Sequence, residues 1–156
     1  MFQPGSHQLR DGLEKLKPVM SATYAFIVNK EEAQKLLGKE DEVKQLLPRI
    51  YELGPKMVVI TDGTNGSWSY DGQVVRFAEI IPETKFVERT GAGDAYSTGF
   101  LAALIKGLDV EMAMRWGSAN GSSVVEHVGA REGLLNIDKI EERIKSCPEC
   151  KVVQNG

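Results

Sequence analysis

Tyr24-Ala25-Phe26-Ile27-Val28 and Met57-Val58-Val59-Ile60-Thr61 are two uninterrupted apolar runs of strand length, and the stretch between them decides the fold. A strand with one wet face would alternate apolar and polar residues, whereas runs apolar at every position suit strands buried on both faces of a parallel sheet. After the first run, Asn29 opens a helical pattern with Leu36 and Leu37 on its apolar side, and Gly38 falls where a left-handed cap would end it. A further helix is predicted over about 41–53, and Gly54-Pro55 turns the chain into the second run. Strand, helix, strand in that order is a parallel crossover. The fold class is therefore α/β.

Working outward, Leu9, Leu13 and Leu16 line one face of a short helix predicted over 6–17 and stopped near Pro18. Beyond Asp62 the character changes to short pieces at 67–70, 73–77 and 85–88, with Asp71-Gly72 as a hairpin signal, and these are expected as antiparallel edge strands. Helices return over about 91–107, 110–127 and 137–144; the second of these is rich in small residues from Gly117 to Ser123, and the third starts near Asn136. The sequence has no internal repeat and no linker. One α/β unit is expected, with 1–146 as the domain and 147–156 as a tail.

Composition narrows the function classes. The chain has 156 residues, 42% hydrophobic and 26% charged, the balance of a globular domain. Its net charge of −3, without a strongly basic stretch, argues against a nucleic-acid partner. No apolar run is long enough for a membrane span, and Met1-Phe2-Gln3-Pro4-Gly5 lacks the regions of a signal peptide, so a cytoplasmic location without a membrane partner is expected. Cys147-Pro148-Glu149-Cys150 has the spacing of a redox pair or half a zinc site, but His7 and His127 lie far away in sequence, and an incidental or structural pair is the simpler reading.

The chemistry concentrates in Thr90-Gly91-Ala92-Gly93-Asp94. Three small residues stand at a predicted helix N-terminus, an anion-binding arrangement in which glycine lets a phosphate approach the main chain. Asp94 follows directly, within reach of a hydroxyl presented to that phosphate, and phosphoryl transfer requires positioning plus electrostatics of this kind. Other nucleotide folds fail on spacing. No Gly-x-x-x-x-Gly-Lys-Ser/Thr loop is present, and the third glycine of a dinucleotide fingerprint would fall at Tyr96.

The stretch Thr90-Gly91-Ala92-Gly93-Asp94-Ala95-Tyr96-Ser97-Thr98-Gly99-Phe100-Leu101 resembles the C-terminal signature of the ribokinase-like, or PfkB-type, carbohydrate and nucleoside kinases. The resemblance implies a ribokinase-like three-layer α/β fold, a mostly parallel sheet flanked by helices with antiparallel edge strands. It implies an ATP-dependent phosphotransferase that moves the γ-phosphate to an alcohol of a sugar or nucleoside. Gly91, Ala92 and Gly93 would form the anion hole and Asp94 the base that activates the acceptor hydroxyl. Asn29-Lys30-Glu31-Glu32 matches the family's Asn-x-x-Glu motif, which implies that Asn29 and Glu32 organise magnesium (Mg2+), often through water. The same residues also form a capping box, and both roles can coexist. Thr61, Gly63 and Gly66 resemble the family's Thr-x-Gly-x-x-Gly turn beside the nucleotide phosphates, and strand ends are where ligands gather in open α/β sheets. Ser118-Ala119-Asn120-Gly121 and Val128-Gly129-Ala130 resemble the wall of the adenine site, with Asn120, Gly129 and Ala130 as contacts; helix packing explains the same small residues.

Two departures qualify the likeness. Two positions before Thr90 the family usually has Asp-Thr, where the aspartate helps hold a monovalent cation (K+); this chain has Glu88-Arg89, and Arg89 is expected to substitute in part for that ion. The match also corresponds to the C-terminal portion of a family member, so the chain is expected to be a C-terminal fragment. Its alternatives are an active kinase part, a nucleotide-binding module, or a subunit that needs the complementary N-terminal half; a homodimer is the other partner considered. Which sugar or nucleoside is the acceptor is read mainly by the other half.

Overall fold

The computed structural model describes residues 1–155, and the chain divides into two compact units. The first comprises 1–63, 67–77 and the chain from 154 onward; the second comprises 64–66 and 78–153.

The first unit opens with α1 (Ser6–Asp11) and α2 (Leu13–Ser21), where one helix over 6–17 was expected. Gly12 adopts φ of +90°, a conformation no helix can pass through, and so separates the two. Pro18 lies inside α2 instead of ending it, and α2 seats Leu16 and Met20 in the core. The apolar runs form β1 (Ala25–Asn29) and, after α3 (Lys30–Leu37) and α4 (Val43–Tyr51), β2 (Met57–Thr61). The two strands pair in parallel with Asn29 opposite Thr61, as the crossover argument requires. Four of the five residues in each strand are buried. Phe26, Val28, Val58 and Ile60 pack with Leu46, Leu47 and Ile50 of α4 and with Ala33 and Leu36 of α3. Truncating a fully buried leucine such as Leu47 to alanine would cost about 2–5 kcal/mol.

Beyond β2, β3 (Ser67–Tyr70) pairs antiparallel with it, and β4 (Val75–Ala78) follows. The Asp71 carboxylate organises the connection by accepting hydrogen bonds from the amides of Gln73 and Val74 and from Arg76. Burial would push this carboxyl up, but those three donors outweigh it and hold the group below the ordinary aspartate value.

The second unit is dominated by α5 (Ala92–Ile105), α6 (Val110–Val124) and α7 (Ile137–Lys145). Glycines let α5 and α6 approach closely: a Cβ on Gly99 would lie 2.7 Å from the Trp116 carbonyl oxygen, and one on Gly117 would lie 2.9 Å from the Tyr96 ring. The small-residue stretch of α6 is thus a helix-packing surface, buried throughout from Trp116 to Val124. Residues 85–88, expected as a strand, carry no ladder; this segment bonds to the end of α6 through the amides of Val87 and Glu88, which donate to the Val125 carbonyl.

The last strand is β5 (Val152–Asn155), and the sheet order is β1-β2-β3-β4-β5. Within the tail, Val152–Asn155 form this strand. Cys147 and Cys150 are buried and joined as a disulfide, so in this state neither sulfur is a thiolate for zinc. Among the described residues no helix is long and apolar enough to cross a membrane.

Candidate active site

The N-terminus of α5 is built by a left-handed glycine. Gly91 is the N-cap residue, with φ of +83° and ψ of −4°, and no side chain caps the helix there. A Cβ at this position would stand 2.6 Å from the Ala130 carbonyl oxygen, so conformation and space both exclude a larger residue. The Ala92 amide donates to Arg89 and the Ala95 amide to Gly91, which closes the turn. Gly93 and Asp94 are exposed in the first helical turn, where the positive end of the helix dipole favours a negative partner. Small residues at a helix start without a side-chain cap at Gly91 are chemistry that can accept an anion, and Asp94 stands beside them as a carboxylate.

The structure brings the predicted 128–130 stretch to the same place. Ala130 is the residue against Gly91, and the Gly129 amide donates to Glu88 Oε1 at 2.7 Å. Glu88 thereby ties this turn to the segment that leads into the cradle. Arg89, expected to stand in for a cation, is exposed with its guanidinium 5.7 Å from the Phe86 ring centroid; the bond to the 129–130 turn is made by its neighbour Glu88. Asn120, expected at the adenine wall, is 2% exposed. Its side-chain amide donates to the Ala95 carbonyl and its oxygen accepts from the Leu135 amide, so the side chain ties α6 to α5 and to the segment before α7.

In the first unit, Asn29 and Glu32 lie where the pattern put them. Asn29 Oδ1 accepts from the Glu32 amide at 2.8 Å, and Glu32 Oε2 accepts from the Asn29 amide at 2.9 Å, a reciprocal capping box at the start of α3. Because Asn29 and Thr61 are register partners, the Asn-x-x-Glu and Thr-x-Gly-x-x-Gly motifs begin side by side at the carboxyl ends of two parallel strands. Lys30 adds a cation there, 3.1 Å from Glu42 and 3.8 Å from Asp62, and these neighbours raise its pKa above the ordinary lysine value, the Glu42 hydrogen bond most of all. Gly63 and Gly66 flank a single 3-10 turn and both take positive φ, +55° and +92°. Asn29 and Glu32 offer oxygen donors of the kind magnesium takes; the single amide oxygen of Asn29 already accepts in the cap and Glu32 keeps Oε1 outside it, so a water-mediated contact suits the pair best.

Residues 6–137 match the model of the pfkB family of carbohydrate kinases. The chain belongs to this family. A pfkB relative named "Uncharacterized sugar kinase" in Archaeoglobus fulgidus is 34% identical over 134 residues, covering 85% of this chain and 52% of that protein. The Methanocaldococcus jannaschii nucleoside kinase, an archaeal member of the ribokinase family, is 32% identical in its crystal structure with a TM-score of 0.78, over 93% of this chain and 47% of that one. The Arabidopsis thaliana ribokinase complexed with ribose and ATP aligns at a TM-score of 0.77 and 25% identity, over 83% of this chain and 43% of that one. The fold of this pfkB chain is thus ribokinase-like, and the chain spans about half the length of the relatives it matches.

Two charged groups around the pfkB signature escaped the sequence reading. Glu88 stood out only as a departure from the family pattern, and Glu126 gave no signal. Glu126 is 8% exposed and pairs with Arg143 at 2.6 Å. Burial pushes its carboxyl up, but hydrogen bonds from Arg143 and from the Thr84 amide outweigh this and hold it below the ordinary glutamate value. No spacing rule joins residues 84, 126 and 143, which is why tertiary structure was needed to find them.

Proposed function

We propose that this chain is the nucleotide-handling and catalytic part of an ATP-dependent kinase that transfers the γ-phosphate to an alcohol of a sugar or nucleoside. The observation that carries this reading is the uncapped glycine turn at the start of α5 with Asp94 in its first turn. In the proposed reaction the turn of Gly91, Ala92 and Gly93 holds the phosphate being transferred through the amides of Gly91 and Gly93, the Ala92 amide closing the turn on the Arg89 carbonyl, and fixed donors of this kind need no reorganisation as charge moves. Asp94 accepts the proton of the acceptor hydroxyl as its oxygen bonds to phosphorus and ADP leaves. A weakly basic carboxylate suffices when that proton departs late in a loose transition state. Thr61, Gly63 and Gly66 are assigned to the nucleotide phosphates, and Gly129 and Ala130 to the nucleotide beside the cradle. Asn29 and Glu32 would hold magnesium through water, which when bound neutralises phosphate charge.

Support comes from family membership and from the names of relatives, which include a sugar kinase and a nucleoside kinase. Residues 1–146 are read as the kinase part and 147–156 as a tail, within which Val152–Asn155 form β5, and the setting is read as cytoplasmic. The test is calorimetry with ADP and with ATP plus magnesium, followed by ADP release with a panel of sugars and nucleosides. Nucleotide binding with acceptor-dependent ADP release is expected; binding without release for any acceptor would reduce the chain to a binding module, and no binding would overturn the reading.

A further inference from the structure

The segment 79–89 delivers the chain from β4 into the glycine turn without helix or strand of its own, yet it is fastened along its length. The Ile81 amide donates to Ser118 Oγ at 2.7 Å, and the Val87 amide donates to the Val125 carbonyl at 2.8 Å. Midway, Glu126 Oε1 accepts from the Thr84 amide at 2.7 Å and from Thr84 Oγ1 at 3.2 Å. The same carboxylate is gripped by Arg143, whose remaining donors reach Ser122 Oγ at 3.1 Å and the Pro82 carbonyl at 3.2 Å. One ion pair therefore joins α6, α7 and the middle of the segment.

We infer that Glu126, held by Arg143, is a positioning residue that sets the glycine turn by pinning the segment leading into it. The physical case rests on burial. The side chains of Glu126 and Arg143 are 10% and 16% exposed, so each charge depends on the other for the solvation it has lost. A neutral surface contact would hold Thr84 more simply; a bidentate pair fixes direction as well as distance. From Thr84 the chain runs to Val87 and Glu88, both bonded to Val125, the residue next to Glu126. Glu88 then holds Gly129, and Ala130 packs on Gly91. Displacing the pair would loosen both sides of the cradle. The partners of the pair are Thr84, Ser122 and Pro82, so it acts on the cradle through the main chain of the segment.

This inference rests on the proposed function only for its consequence, and its test has one arm that needs no nucleotide. Glu126→Gln and Arg143→Met would be compared with wild type by amide hydrogen exchange. The probes are the Ala92 and Gly129 amides, which are hydrogen-bonded to Arg89 and Glu88 and lie away from the pair itself. Exchange at both is expected to quicken by about tenfold or more relative to the core amides of β1 and β2, with Arg143→Lys restoring part of the protection. ADP affinity, by calorimetry, is expected to fall by about tenfold in the same variants. If Ala92 and Gly129 keep wild-type exchange while only Thr84 or the unfolding midpoint moves, the pair merely stabilises and the inference is overturned. If exchange quickens but wild type itself binds no ADP, the positioning stands and the kinase reading fails. Should Glu126→Gln not fold, Thr84→Val, which removes only the hydroxyl bond, gives the same comparison at smaller amplitude.

Discussion

The two helices that open motif stretches begin in opposite ways. At α3, Asn29 and Glu32 satisfy each other's main-chain amides, so the helix start is closed by its own side chains. At α5, the N-cap is a glycine in the left-handed region and no side chain closes the start. Every helix start carries main-chain amides without a partner inside the helix. The difference teaches that the same local feature can be closed by side chains or left to the main chain, and at α5 the approach is shaped by Ala130 packed against Gly91. At α3 the motif residues stabilise first, and a role toward magnesium would use Glu32 Oε1 and the remaining lone pair of Asn29 Oδ1.

The largest effect expected from this contrast is at Asp94. Asp94→Asn should lower turnover by about 10²–10⁴-fold while ADP affinity stays within about threefold, measured by ADP release and calorimetry. Unchanged turnover would remove Asp94 from the chemistry and leave α5 as a binding terminus only. Next in size is Gly91→Ala, which meets both the positive φ and the Ala130 main chain. It should cost about 1–3 kcal/mol in denaturant unfolding and abolish measurable ADP binding; an alanine variant with wild-type affinity would show that the cradle is not set by this turn.

Smaller effects probe α3. Asn29→Ala should cost about 1 kcal/mol through loss of the cap, read from the unfolding midpoint. Glu32→Gln separates the two roles, because glutamine can still accept the Asn29 N–H at this position of a capping box. Its stability should stay within about 0.5 kcal/mol of wild type while the magnesium concentration needed for half-maximal activity rises. An unchanged magnesium dependence would leave Glu32 a cap alone.

The mildest test uses pH. Glu126 titrates below its ordinary value in the folded chain, so it binds its proton more readily unfolded than folded. Its contribution is complete above the ordinary value of 4.5 and is lost as pH falls through the lower folded value. Wild type should therefore lose more stability than Glu126→Gln on acidification below that point, measured as the difference between their denaturant midpoints. Equal losses would mean that the pair contributes nothing to the acid limb.

Much of the first unit was legible before any coordinates. Strands β1 and β2, their parallel pairing and the cap of α3 follow from local pattern, because burial on both faces and side-chain capping each leave a signature within a few residues. The break at Gly12 was missed because the leucine spacing runs through it without a change of face, and only the backbone angle separates the helices. Residues 85–88 carry strand composition but no ladder partner, since their amides are spent on the end of α6. Asn120 looked like a ligand contact, yet its amide joins Ala95 to Leu135 across long sequence intervals.

By itself the sequence determined the α/β class, the parallel crossover, the position of the glycine turn and the candidacy of Asp94, all of which depend on neighbours close along the chain. Tertiary structure alone decided that Ala130 abuts Gly91, that Glu88 bonds Gly129, and that Glu126 and Arg143 hold Thr84. Glu126 and Thr84 are 42 positions apart, Glu88 and Gly129 are 41, and Arg143 and Glu126 are 17. Partners so distant are chosen by how helices pack, and helix packing has no fixed spacing in sequence.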